Sequence, residues 1–171
     1  MMKYRIVFFF LFYPLCLFAN GHLPEQILQM INDNGARSVV TELDANDRGE
    51  SAGWNLVIPE ISKGTHAWLA VASALEPGVD ASTAEDLKAA LSKAIPHNPA
   101  GVLAILKDDK PLLTIAQICA FANFPETEAE SNKLFVDSIR EMFKIKSTEG
   151  KKCLAVMIET VEHSVPFDKD I

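Results

Sequence analysis

Apolar positions along this chain recur at intervals of three and four residues, and no run of them alternates with a period of two, so the pattern predicts helices throughout. Ile27, Leu28 and Ile31 form a short stripe behind Pro24, a residue suited to a first helical position, and Asn34-Gly35 ends it. Ala36 to Leu43 reads as a second short helix, and the polar DANDRG at 44–49 reads as a loop. Between Ser51 and Lys63, Trp54, Ile58 and Ile61 share one face, and Gly64 closes the segment. Pro59 lacks an N–H and its ring meets the Asn55 carbonyl, so the chain either kinks there or begins a new helix. Thr65 is placed to cap the next helix. There Trp68, Val71, Ala72 and Leu75 face inward, with Trp68 as a core anchor and His66 on the polar side.

Pro77-Gly78 ends that helix, and Asp80 sits in the following turn as an acceptor of backbone N–H groups. Ser82 with Glu85 has the form of a capping box, opening a helix striped by Leu87, Ala90, Leu91, Ala94 and Ile95. Pro96-His97-Asn98-Pro99 is a tight junction in which Asn98 caps and Pro99 takes the first helical position. Val102, Leu103 and Leu106 follow, then a polar loop from Lys107 to Lys110. Leu112 to Phe121 is apolar throughout and reads as a central helix, broken by Phe124-Pro125. Thr127 with Glu130 forms a second capping box. Phe135, Ile139, Met142 and Phe143 line the helix after it to about Lys146. The last helix runs from Thr148 or Glu149 to about His163 through Cys153, Met157 and Val161, and the tail from Val165 frays. These elements imply an all-α fold: an irregular antiparallel bundle of helical hairpins, with a short α-solenoid as the alternative.

The first residues change the picture from fold to compartment. Lys3 and Arg5 precede an apolar run from Ile6 to Phe18, and Ala19 is a small residue before Asn20-Gly21. This is the layout of a secretory signal peptide cleaved after Ala19, and the run is short for a membrane span. Leu15, before Cys16, is large where a lipid-attachment signal wants a small residue. Residues 20–171 then form a single helical domain, long enough to bury ~68–70% of its unfolded surface. Cleavage removes two cations and no acid, taking the formal charge from −7 to −9. An acidic surface argues against nucleic acid and anionic lipid, and it suits a basic protein partner or none.

Cys119 and Cys153 remain after cleavage. In an oxidising compartment they are candidates for a disulfide, worth roughly 3.5–4 kcal/mol on the chain-entropy account. Each also fits its apolar helix as a small buried hydrophobe. No further ligand stands at zinc spacing from either, so no metal is expected.

Catalytic patterns are missing: no G-x-S-x-G elbow, H-E-x-x-H helix, P-loop or G-x-G-x-x-G occurs. His22, His66, His97 and His163 are far apart in sequence and read as surface residues. Glu126, Glu128 and Glu130 cluster at a helix start, where negative charge offsets the helix dipole. No cofactor is implied.

One pattern does run through the middle of the chain. Trp54, Ile58, Ile61, Gly64, Trp68-Leu69, Ala72, Leu75, Pro77-Gly78, Asp80-Ala81, Leu87, Ala90-Leu91, Ala94, Asn98-Pro99 and Val102-Leu103 precede Cys119 and Phe124-Pro125-Glu126. This resembles a family of small exported helical proteins of Gram-negative bacteria that carry no assigned activity. The resemblance implies a fold built on anchors at Trp54, Trp68, Gly78, Asp80 and Asn98, and it names no catalytic residue. Pro59 departs from its uninterrupted helix. Size, export, acidity and a candidate disulfide also resemble periplasmic immunity proteins, which neutralise toxins of neighbouring cells. The expected function is therefore protein–protein interaction in the periplasm, as an immunity or assembly factor. The alternative is an enzyme or small-ligand carrier whose site no motif reveals.

Overall fold

A computed structural model describes residues 24–46, 53–120 and 127–163. The proposed leader at 1–19, His22, the end of the DANDRG segment, Phe124-Pro125-Glu126 and the tail from Val165 lie outside them. Among the described residues the fold is all-α, with nine α-helices and no strand. They are α1 (Pro24–Asn34), α2 (Ala36–Asn46), α3 (Trp54–Ser62), α4 (His66–Leu75), α5 (Ala81–Ala94), α6 (Pro99–Ile105), α7 (Ile115–Cys119), α8 (Glu128–Met142) and α9 (Thr148–His163). A single 3-10 turn, Glu76–Gly78, follows α4.

The helices form a bundle of short hairpins stacked in two rows. From α3 onward one row runs α3, α5, α7, α9 and the other α4, α6, α8, each helix packing on the next but one. α1 packs on α2 and α4, and α2 on the 3-10 turn, which closes the N-terminal end. The core runs the length of this stack, from Ile27, Val39 and Leu43 through Ile61, Leu75, Leu91 and Ile95 to Ile118, Met142 and Met157.

Four expectations from the sequence need correction. α2 does not stop at Leu43 but carries on through Asp44 and Ala45 to Asn46, because exposed polar residues on its outer side cost nothing while Leu43 stays buried. No new helix starts at Pro59, which lies inside α3; Ser62 Oγ donates to the Ile58 carbonyl at 3.0 Å in the turn that includes the proline. The α5 cap is Asp80, not Ser82: Asp80 accepts from the Thr83 N–H at 3.2 Å, while Thr83 Oγ1 accepts the Asp80 N–H at 2.9 Å. The central apolar helix is reduced to Ile115–Cys119, since Leu112 to Thr114 belong to a loop that a buried side chain holds.

Candidate functional site

The residues singled out by sequence are joints between helices. The Trp54 ring is buried, and its Nε1–H donates to Asp86 Oδ2 at 3.1 Å, tying α3 to α5. Trp68 is only half-buried, correcting the expectation of a core anchor; Leu69, Val71, Ala72 and Leu75 fill the depth of α4. Side chains on a helix lean toward its N-terminus, so a large ring in the first turn reaches out over the end of the core. Gly78 marks a close approach: a Cβ there would sit 2.3 Å from the Ala36 carbonyl carbon and 2.4 Å from the Arg37 nitrogen. Asn98 accepts the Gly101 N–H at 2.9 Å and donates through Nδ2 to the Gly64 carbonyl at 2.8 Å. Gly64 has φ +70, a left-handed turn suited to glycine, so this one amide joins the α3–α4 turn to the α5–α6 junction.

Cys119 and Cys153 come together as a pair, with sulfurs 2.02 Å apart and Cα atoms 5.4 Å apart, linking α7 to α9 in the core. The expected box at Thr127 and Glu130 is present, with both side chains bonding back to the other's backbone N–H. Hydrogen bonds from Thr83 and Thr127 hold the Asp80 and Glu130 carboxyls below the usual carboxylate range. His66 and His97 are exposed. Among the described residues no three His, Cys, Asp or Glu side chains gather as metal ligands.

Three features escaped the sequence reading. Glu76 is buried, and its Oε1 accepts the N–H groups of Leu112 and Leu113 at 3.3 and 3.1 Å. Its Oε2 pairs with Lys110 Nζ at 2.6 Å, and that ammonium also donates to Ser73 Oγ at 3.1 Å. An ammonium held by a carboxylate has no lone pair with which to take the Ser73 proton, so this trio clamps a loop and does not build a nucleophile. A glutamate beside a Pro-Gly turn gives no sign of such burial in sequence. The second feature is a shallow cleft of about 360 Å³ lined by Ser62, Lys63, Lys93, His97 and Leu134, where α3, α5 and α8 meet. Lys63 in it is paired with Glu60.

The third lies on the α8–α9 hairpin. Among the described residues, the body from α1 to α7 leaves one large apolar side chain exposed, Leu56. The hairpin leaves four: Val136 and Phe143, seven residues apart on α8 and its C-cap, and Ile158 and Val161 on α9. Met142, Cys153 and Met157 on the same two elements are fully buried, and Val161 continues the Cys153–Met157 line to the exposed end of α9. Sequence spacing puts Phe143 and Val161 on the inner stripes of these two helices, and the structure corrects it: both are exposed, Phe143 as the C-cap of α8 and Val161 near the end of α9, where the core no longer covers them.

The fold and its joints define an all-α helical protein with one disulfide-distance cysteine pair. Comparison of the chain with protein-family models, with curated proteins and with solved structures finds no match.

Proposed function

We propose that this chain is an exported helical protein that acts in the periplasm by contacting another protein, in the manner of an immunity or assembly factor. The observation that carries this reading is the two-faced α8–α9 hairpin, which exposes Val136, Phe143 and Ile158 while Met142, Cys153 and Met157 on the same elements are core. A helix apolar on both sides suits a place between two layers, and this molecule supplies one of them. The acidic balance of the chain favours a basic protein over nucleic acid or an anionic membrane. Export is supported by the basic, apolar and small-residue order of residues 1–19 and by a cysteine pair at bonding distance, an arrangement at home in oxidising compartments.

The test is capture from periplasmic extract with the tagged protein and with Phe143→Asp. The expected outcome is a stoichiometric protein bound by the first and lost from the second, with mass spectrometry placing the mature N-terminus near Asn20. An intact Met1 on a cytoplasmic protein contradicts export. A small molecule that co-purifies in place of a protein favours a second reading, a ligand carrier using the cleft at Lys63, Lys93 and His97.

A further inference from the structure

The outer face of α9 carries a pattern that is complementary to its own reverse. Lys151, Ala155, Ile158 and Glu162 fall at i, i+4, i+7 and i+11, so they form one stripe, and all four are exposed. Along it the order is cation, small, large apolar, anion. Of the adjoining positions, Lys152 early in the helix pairs with Asp108 of the same chain at 3.9 Å, and Glu159 stands late. Glu149, the acid at the basic end, is bonded to Ser147 and its own backbone at the helix start, and is held below the usual carboxylate range there. On α8 the neighbouring cations are neutralised within their own helix: Lys133 and Arg140 by Asp137, and Lys144 by Glu141.

We propose that the chain pairs with a second copy of itself through this stripe, with the two α9 helices antiparallel about a two-fold axis between Ala155 and Ile158. This rests on the reading of the hairpin as a contact surface; the local order of charge along the stripe, and not the acidic balance of the whole chain, selects a second copy as its occupant. In that arrangement Lys151 faces the partner's Glu162, and Ile158 enters the space left by the partner's Ala155. Symmetry then makes each of these contacts twice, as a closed isologous interface requires. Small against large lets the helix axes approach, and opposite charges at both ends set the register. A parallel pairing would instead align Lys151 with Lys151 and Glu162 with Glu162, which like-charge repulsion disfavours. Val136 and Phe143, exposed on α8 and its C-cap, add apolar surface to the same hairpin.

Sedimentation equilibrium on the purified full chain, at concentrations up to about 100 µM, tests the pairing. The wild type should dimerise. Glu162→Lys and Lys151→Glu should each weaken the dimer about tenfold or more, because each creates two like-charge contacts. The double variant Lys151→Glu with Glu162→Lys should restore the wild-type constant, since both contacts are merely inverted. All three changes lie on exposed positions, and unchanged circular dichroism and melting temperature would show that the monomer fold is intact. A wild type that stays monomeric over this range overturns the proposal, as does a double variant no tighter than the single ones. If that monomer still captures a different periplasmic protein, only the pairing fails; a monomer that captures nothing sinks the contact reading as well.

Discussion

Trp54 and Trp68 show how one residue type takes two roles set by its place on a helix. Trp54 is enclosed and bonded to Asp86, whereas Trp68, in the first turn of α4, packs against the core only half-buried. Trp54→Ala should cost about 3–5 kcal/mol, the range for large aromatic truncations in a core. Trp68→Ala should cost roughly half of that, since part of its ring already faces water. His66→Ala, at an exposed first-turn position, should stay within about ±0.5 kcal/mol. Urea unfolding of the three variants checks the order. A Trp68→Ala protein of wild-type stability that has lost its partner would make that ring a binding residue instead.

At the scale of elements, caps decide where helices begin. Asp80 satisfies the first turn of α5 through the Thr83 N–H and hydroxyl, and these bonds depress its ionisation in the folded state. A carboxyl held below its ordinary range contributes stability that is complete above that range. The contribution is lost as pH falls through the folded-state value. Glu130, Asp137 and Glu149 act in the same direction on α8 and α9, each lowered chiefly by a hydrogen bond: from Thr127, from Lys133, and at the α9 start. Asp80→Asn keeps the acceptor oxygen and removes the proton site. Its melting temperature should therefore lie closest to that of the wild type in acid and fall below it near neutrality, as followed from about pH 3 to pH 7. A constant gap across that range would mean that Asp80 acts through packing and not through its charge.

For the molecule as a whole, the cysteine pair connects the C-terminal hairpin to the stack. α9 packs on α7, and the pair spans a sequence separation of 34 residues between these two helices. Alkylation of the denatured protein without reductant should label neither Cys119 nor Cys153, and the Cys119→Ala, Cys153→Ala double variant should lose about 2–4 kcal/mol. Hydrogen exchange should show that loss first in α8 and α9, because α3 to α5 keep their own buried contacts. A loss spread evenly over the chain would mean that the two rows unfold as one unit.

By itself the sequence determined what is local. Helix type, the joints at Thr65, Asn98 and Thr127, the inner stripe of α5, and those of α8 and α9 apart from Phe143 and Val161 follow from spacing and capping chemistry that a few neighbouring residues settle. Tertiary structure decided whatever depends on a residue far along the chain. Leu112 and Leu113 left the helix their apolarity suggested because Glu76, 36 and 37 residues earlier, binds their backbone N–H groups, and Thr114 caps the shortened helix. Gly78 is required by the backbone of Ala36 and Arg37, and the cysteine pairing by how α9 returns across α7. The outward apolar set of the hairpin belongs to the same group. Periodicity reports that a side chain is apolar, and only the packing of the other helices reports which apolar face is left uncovered.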